Sequence, residues 1–232
     1  MMLANSFDGL LVVDKPARMT SRDVVNIAQR WFPRRTKIGH TGTLDPLATG
    51  VLVLCVGAAT KLVERIQDMG KTYVTSIRLG AVSNTDDADG TIVEKPDANP
   101  SSEADILALL PKFLGEISQV PPKFSALKVE GRRAHDLARR GEVVELKSRK
   151  VRVDSIRLLS YEWPFADVEI VCGKGTYVRS IARDLGDFLS VGGLVQTLRR
   201  TQVGLFTPDM GVTVDATAEA AKAKLLPMNM IV

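Results

Sequence analysis

Apolar residues along the chain follow two patterns that are typical of strands. Uninterrupted apolar runs occupy residues 10–13 and 51–56, as expected of buried strands. Residues 71–79 alternate instead, with Tyr73 and Thr75 on the same face, which is the period of a strand with two distinct faces. Similar alternation predicts further strands over residues 143–162, 166–172 and 194–206.

Helical spacing of apolar residues predicts the remaining elements. Thr20 or Ser21 is a suitable cap for a helix that buries Val24 and Ala28 and stops at Pro33. The other predicted helices cover residues 58–69, 103–114, 132–140, 178–189 and 215–226. Because strands and helices are mixed without strict alternation, we expect an α+β fold with a mixed, mostly antiparallel sheet flanked by helices and loops.

A polar loop at residues 39–50 precedes the apolar run at residues 51–56 and holds His40, one of two histidines. Its three glycines and one proline exclude the interior of a helix or strand, because glycine is costly to order there and proline lacks a backbone donor. Pro46 biases Asp45 toward an extended backbone, so we expect the carboxylate to be held in a defined direction. Polar side chains presented in this way commonly bind substrates or take part in catalysis.

Composition and charge limit the class of protein. With 232 residues, the chain is expected to form one main domain. Its net charge is +4, and its basic residues cluster in patches, which a protein that grips a folded polyanion needs. Solvated surface charge remains the alternative for any one patch. The patches are residues 34–37, 132–133, 139–140, 147–152 and 199–200.

The two cysteines, Cys55 and Cys172, lie in apolar runs without a pairing pattern or metal-ligand spacing. We therefore expect buried thiols in a reducing compartment and no zinc site. No apolar run is long enough to span a bilayer, and the first ten residues lack a signal-peptide pattern. The protein is expected in the cytoplasm and not at a membrane.

Three segments resemble known functional motifs without matching them. The acidic stretch at residues 84–90 lacks the ligand spacing of an EF-hand, and we interpret it as a solvated turn. The sequence GKGT at residues 173–176 lacks the earlier glycine of a P-loop. The sequence SALK at residues 125–128 matches the Ser-x-x-Lys of acyl-serine enzymes, but no Ser-Asp-Asn box or export signal accompanies it.

Four remaining residues together suggest chemistry at a sugar. Asp45 supplies a carboxylate of the kind that attacks an anomeric carbon in retaining glycosidases. Arg179 held against it would keep it ionised, because an adjacent cation lowers the pKa of a carboxyl group. A ring from Tyr73 or Tyr177 would stack on a base, and its hydroxyl would handle a proton. Taken singly, Arg179 has the alternative role of a surface helix charge, and each tyrosine that of a half-buried aromatic.

At these residues the chain resembles the TruB family of RNA pseudouridine synthases. The similar segments run in order from about residue 9 to residue 206 and are GLLVVDKP (9–16), GHTGTLDPLATG (39–50), KTY (71–73), DDADG (86–90), PPKFSALK (121–128), GKGTYVR (173–179) and LRR (198–200). The resemblance implies the pseudouridine synthase fold. It also implies an isomerase that breaks the N-glycosidic bond of a uridine in RNA, turns the uracil and rejoins it through C5, without a metal or cofactor.

By position, the resemblance assigns catalytic roles to three residues. Asp45 matches the catalytic aspartate, Arg179 the arginine that pairs with it, and Tyr73 the ring that stacks on the flipped base and is proposed to remove the C5 proton. Whether the aspartate attacks C1′ or removes a proton is left open. Base flipping is also expected on physical grounds, since an enzyme cannot reach C1′ and C5 of a stacked base.

The resemblance also assigns residues that bind substrate and RNA. Tyr177 matches a second active-site aromatic, His40 the histidine that helps to displace the nucleotide, and Leu198 an apolar wall of the pocket. Lys15 is placed among the substrate-binding residues. The residues expected to contact the RNA backbone are Arg132, Arg133, Arg199 and Arg200.

Similar bacterial proteins act on uridine 55 in the T-arm of transfer RNA, so that stem-loop is the expected partner. Residues 1–210 are expected to form the catalytic domain, and residues 211–232 a short helical tail without the complete PUA-like RNA-binding domain that many relatives carry. We expect a monomer with no required protein partner. Two alternatives stay open: an RNA chaperone of the same fold without turnover, and the same chemistry guided to ribosomal RNA by a partner complex.

Overall fold

The computed structural model describes residues 7–125, 128–129, 132–133 and 146–231. The chain divides into two compact units, one formed by Met1–Thr72 with Arg199–Val232 and the other by Tyr73–Leu198. The α-helices of the described residues are α1 (Ser21–Ala28), α2 (Val63–Gln67), α3 (Glu103–Leu109), α4 (Val178–Phe188) and α5 (Ala218–Ala223). Their strands are β1 (Gly9–Lys15), β2 (Ile38–His40), β3 (Thr49–Val56), β4 (Lys71–Leu79), β5 (Ala81–Ser83), β6 (Ile92–Glu94), β7 (Gly115–Gln119), β8 (Lys128–Val129), β9 (Arg132–Arg133), β10 (Arg149–Glu162), β11 (Phe165–Cys172), β12 (Gly193–Val203) and β13 (Val212–Thr213).

In the first unit, β1 lies between β3 and β13. It pairs antiparallel with β3 along its whole length, from Gly9 opposite Val56 to Lys15 opposite Gly50, and parallel with β13. β3 also pairs parallel with the C-terminal part of β12 and antiparallel with β2. The buried strands predicted from the two apolar runs are confirmed. The core that they form contains Leu10, Val12, Val51, Val53, Cys55, Ala59, Ile66, Val203, Phe206 and Ile231.

In the second unit, the strand order is β12, β4, β11, β10 and β7. Every second side chain along β4 is buried, which confirms the alternation predicted for it. β10 pairs antiparallel with both β11 and β7. Of the strand pairs described above, β1–β13 and β3–β12 are parallel, and β1–β3, β2–β3, β10–β11 and β7–β10 are antiparallel. The predicted α+β class with a mixed sheet is therefore confirmed.

The sequence predicts buried cysteines, and Cys55 and Cys172 are both buried. Burial raises the pKa of the Cys55 thiol to about 12. A thiol that stays protonated at neutral pH is a poor nucleophile, and Cys55 packs in the core of the first unit.

The predicted helix at residues 58–69 is wrong in its first half, where a 3-10 helix at Gly57–Leu62 precedes α2. This segment begins without a side-chain cap at Val56. The Asp8 carboxylate instead accepts the Ala58 N–H at 2.7 Å. An α-helix leaves several N–H groups unbonded at its start, and the tighter 3-10 turn bonds them earlier.

Other predicted helices end sooner than expected. α3 ends at Leu109 and a 3-10 turn at Leu110–Phe113 follows, because Pro111 lacks the donor that an α-helix needs. α1 ends at Ala28, well before Pro33, and α5 spans only part of its predicted range. Among the described helices, none is long and apolar enough to cross a membrane.

The basic helix predicted at residues 132–140 is wrong at its start. Arg132–Arg133 forms β9, which pairs antiparallel with β8. Residues 134–140, including His135, lie outside the described residues. Only the backbone of Arg132 and Arg133 is described, so their contact with RNA stays a prediction.

Candidate active site

The loop that carries Asp45 spans residues 41–48, between β2 and β3, and is called the Asp45 loop below. It folds back on β3, because the amide and the hydroxyl of Thr41 both donate to the Val53 carbonyl, at 3.0 and 3.2 Å. The Ala48 N–H donates to the Asp45 carbonyl at 3.0 Å, which closes a turn. Asp45 itself is half-buried, so its carboxylate is presented from a hydrogen-bonded turn.

Lys15, the last residue of β1, is fully buried beside this loop. Its ammonium group donates to three backbone carbonyls, at 2.8 Å to Pro16, 2.6 Å to Met19 and 3.4 Å to Pro46. These contacts make Lys15 a support for the backbone next to Asp45, since a buried ammonium needs such acceptors. Its predicted contact with substrate stays a prediction.

Arg200, on β12, bonds to the start of the Asp45 loop and to β3, the strand that follows the loop. It is 2% exposed, and its Nε donates to the Val51 carbonyl at 2.7 Å while Nη2 donates to the Gly42 carbonyl at 3.2 Å. Gly50, its register partner on β3, has a φ of 100°, and a side chain there would collide with the Arg200 backbone. The surface position expected for Arg200 is therefore wrong, because its guanidinium lies inside the protein.

Arg199, the preceding residue of β12, is partly exposed and lies against β1. Its two terminal nitrogens donate to the two carboxylate oxygens of Asp14, at 3.0 and 2.8 Å. These hydrogen bonds raise the pKa of Arg199, against the opposing effect of burial. Its contact with the RNA backbone stays a prediction.

The acidic stretch at residues 84–90, called the acidic turn below, is not the solvated turn that the sequence suggests. Asp87 is 3% exposed, and its Oδ2 lies 3.2 Å from Nη1 of Arg179. Arg179 is 4% exposed and also donates to the carbonyls of Thr85, at 2.9 Å, and Phe124, at 3.0 Å. The alternative of a surface helix charge for Arg179 is therefore wrong, because a carboxylate and two carbonyls hold its guanidinium in the interior.

A second group of charges joins the acidic turn to α4. Arg183, one turn after Arg179, donates to Asp86 at 3.1 Å and pairs with Asp184 at 2.8 Å. Burial raises the pKa of Asp86 and of Asp184, and Arg183 opposes the rise in both. The family resemblance includes residues 86–90, but the sequence assigned no role to Asp86 or Asp87. The available signal was complementarity between two adjacent aspartates and two arginines one helical turn apart.

Tyr177, which directly precedes α4, is held by Gln119 of β7. Gln119 is 1% exposed, and its side-chain amide accepts the Tyr177 N–H at 2.8 Å and donates to the Tyr177 carbonyl at 3.0 Å. The Arg149 guanidinium lies 4.8 Å from the centre of the Tyr177 ring and donates to the Gly175 carbonyl. No sequence pattern pointed to Gln119, because its contact with Tyr177 joins residues 58 positions apart.

Tyr73 and Leu198 lie on neighbouring strands of the second unit, β4 and β12. They are 9% and 8% exposed, so each side chain shows only a small surface. The Thr75 hydroxyl donates to the Thr197 carbonyl at 2.8 Å and links the two strands beside them. Tyr73 lies on the buried face of β4, as its alternation predicts.

The predicted site residues divide between the two units. Those of the first unit are Lys15, His40, Asp45, Arg199 and Arg200, and those of the second are Tyr73, Tyr177, Arg179 and Leu198. Within the second unit, the structure brings Arg179 to Asp87. The pairing of Arg179 with Asp45 stays a prediction, as do the roles of His40, Tyr73, Tyr177 and Leu198 toward a nucleotide.

Two family models match the chain. The first, TruB family pseudouridylate synthase (N terminal domain), matches residues 30–178. The chain belongs to the TruB family. The second model, tRNA pseudouridylate synthase B C-terminal domain, matches residues 179–230, and the domain boundary expected at residue 210 stays a prediction. TruB proteins are isomerases that act on RNA, so the predicted family and enzyme class are confirmed.

The matches to related proteins cover nearly the whole chain. tRNA pseudouridine synthase B of Cereibacter sphaeroides is 51% identical over 229 residues, which cover 97% of this chain and 75% of that protein. The protein of the same name from Mycobacterium tuberculosis is 46% identical over 215 residues, which cover 91% and 72%. A chain in the crystal structure of a Cbf5-Nop10-Gar1 complex is 27% identical with a TM-score of 0.75, and the match covers 98% of this chain and 62% of that one. The predicted pseudouridine synthase fold is confirmed.

Proposed function

We propose that this chain converts a specific uridine of transfer RNA to pseudouridine and that the target is uridine 55 of the T-arm. The observation that carries the proposal is the 51% identity, over 97% of this chain, with a protein named tRNA pseudouridine synthase B. In this proposal, the basic surface residues bind the folded stem-loop and recognise its phosphates and its shape. The protein acts as a monomer in the cytoplasm, and residues 1–210 carry the catalysis.

Asp45 is the catalytic carboxylate of this proposal. Its support is the half-buried position of Asp45 on a loop whose backbone is bonded on both sides. The target nucleotide is flipped out of its stack, so that the carboxylate reaches the ribose and either attacks C1′ or removes a proton to release the uracil. The product contains the same atoms as the substrate, so the reaction needs no external oxidant or reductant.

Arg179 pairs with Asp45 in this proposal and keeps it ionised. Its support is that Asp87, Thr85 and Phe124 already hold the guanidinium in one orientation. Tyr73 stacks on the flipped base, and Tyr177, braced by Gln119, forms a second wall of the pocket. His40 and Leu198 help to displace and enclose the nucleotide.

The test compares the unmodified chain with Asp45→Asn on a transfer RNA transcript, with pseudouridine mapped chemically at each position. The unmodified chain is expected to modify uridine 55, whereas Asp45→Asn is expected to lose at least about 1,000-fold in rate while binding the RNA nearly as well. Modification at a different uridine would overturn the T-arm assignment. Binding without turnover by the unmodified chain would favour the RNA chaperone instead, and turnover by Asp45→Asn would remove Asp45 from the chemistry.

A further inference from the structure

Ser21 is the first residue of α1, but the helix does not use its hydroxyl as a cap. Thr20 caps the helix instead. The Thr20 hydroxyl accepts the Asp23 N–H at 3.1 Å, and the Thr20 N–H donates to the Asp23 carboxylate at 2.9 Å. This reciprocal pair is a capping box, which already satisfies the start of the helix. The side chain of Ser21 therefore serves a different purpose.

The Ser21 hydroxyl bonds to Leu44, the residue directly before Asp45. Ser21 is 2% exposed, and its Oγ accepts the Leu44 N–H at 2.8 Å and donates to the Leu44 carbonyl at 3.2 Å. One hydroxyl thus serves both backbone polar groups of a single residue. Leu44 is 3% exposed, so removal of this hydroxyl takes a partner from two groups that water does not readily reach.

The backbone after Asp45 is bonded as well. The Pro46 carbonyl accepts the Arg18 N–H at 2.7 Å and the Lys15 ammonium at 3.4 Å. Bonds to the residues on either side of Asp45 restrict its φ and ψ, and these angles set the direction of its Cα–Cβ bond. The Ser21 hydroxyl supplies the bonds on the N-terminal side of Asp45.

We propose that Ser21 is a positioning residue for Asp45, acting through the Leu44 backbone without touching the substrate. This inference rests on the proposed function, because the direction of Asp45 affects turnover only if its carboxylate takes part in the reaction. A misplacement of about 1 Å at a reacting group lowers rates by about 100-fold. Ser21 is therefore expected to affect the reaction step and not the binding of RNA.

The experiment uses the full chain with Ser21→Ala, and with Ser21→Cys as a second variant, whose slightly larger thiol is a weaker donor and acceptor than the hydroxyl. The matched control is Thr60→Val, which removes another half-buried hydroxyl of the first unit, one that donates to the Gly57 carbonyl at 2.9 Å. Three quantities are measured for each: the single-turnover rate at saturating enzyme, the Kd for the transcript, and the hydrogen–deuterium exchange of residues 41–48.

Ser21→Ala is expected to lower the saturating rate by about 10- to 100-fold and to leave the Kd within about twofold. Ser21→Cys is expected to fall between Ser21→Ala and the unmodified chain, and it carries the test if Ser21→Ala does not fold. Exchange of residues 41–48 is expected to speed up in both Ser21 variants and to stay unchanged in Thr60→Val, because only the former lose the bonds to Leu44.

The inference is overturned if the Ser21 variants turn over at the rate of Thr60→Val, or if their loss appears in the Kd alone. An unmodified chain without activity, or an active Asp45→Asn, overturns the proposed function and this inference with it. An active unmodified chain, an inactive Asp45→Asn and fully active Ser21 variants would instead leave the proposed function standing and refute only the role of Ser21.

Discussion

The Asp45 loop and the acidic turn are both polar connections between strands, but different groups hold them in place. The Asp45 loop is held through its backbone, to which the side chains of Lys15, Ser21 and Arg200 bond. The acidic turn is held through its own carboxylates, which pair with two arginines of α4. The first arrangement orders a loop from outside, and the second uses the charges of the turn itself.

This difference matches the work that each segment does in the proposed function. A loop whose backbone polar groups are satisfied from elsewhere can present its side chains to a substrate. A turn whose carboxylates are buried against arginines instead balances and orients those cations. In the proposed function, the Asp45 loop thus presents the reacting group, while the acidic turn orients Arg179.

The largest effect is expected when the acidic turn loses Asp87. Asp87→Ala leaves Arg179 buried without its carboxylate, which is expected to cost about 3–5 kcal/mol in the free energy of unfolding and about 100-fold in turnover. Asp89→Ala is the matched control, because Asp89 is an exposed carboxylate of the same turn. Urea denaturation and single-turnover rates check both. Equal stability and equal turnover rates of the two variants would mean that the Asp87 carboxylate does not orient Arg179.

An intermediate effect is expected on the side of the Asp45 loop, where two adjacent arginines differ in burial. Arg200→Met removes donors to two carbonyls and is expected to cost about 1.5–3 kcal/mol of stability, with slower turnover. Arg199→Met is the comparison, because its pair with Asp14 is partly exposed and is expected to contribute less than about 1 kcal/mol.

Salt dependence separates these two arginines. If Arg199 contacts a phosphate, Arg199→Met reduces the slope of log Kd against log salt by about 1, whereas Arg200→Met leaves it unchanged. RNA binding measured over a series of salt concentrations checks this. The reverse assignment, with the slope changed only in Arg200→Met, would contradict the inward orientation of Arg200.

The smallest effect is a pH dependence of the acidic turn. Burial raises the pKa of Asp86 above its ordinary value of 3.8, although Arg183 opposes the rise. The folded state therefore binds the proton more tightly than the unfolded state, so the contribution of Asp86 to stability falls as the pH rises from 3.8 through the folded pKa.

Asp86→Asn removes this titration. The difference in unfolding free energy, unmodified chain minus Asp86→Asn, is expected to decrease with pH across that interval and to level off above it. Urea denaturation at a series of pH values measures the difference. A difference that instead grows with pH would show that Arg183, and not burial, dominates the environment of Asp86.

Local patterns accounted for much of the fold. The alternation of β4 and the apolar runs of β1 and β3 predicted strands correctly, because the burial pattern of a strand is visible in the order of neighbouring apolar and polar residues. Helix lengths were less predictable at residues 58–69, where the cap comes from Asp8, about fifty positions away. A cap supplied from another part of the chain leaves no signal near the helix that needs it.

The candidate site shows the same division between local and distant information. Residue types at fixed spacing were enough to predict the family, the loop with its glycines and proline, and Asp45 as the carboxylate of that loop. The folded structure was needed to show that Asp87 is buried against Arg179, that Arg200 points inward, and that the Ser21 hydroxyl reaches Leu44. A charged or hydroxyl side chain has the same chemistry on the surface and in the interior, so its role depends on the partners that folding brings to it.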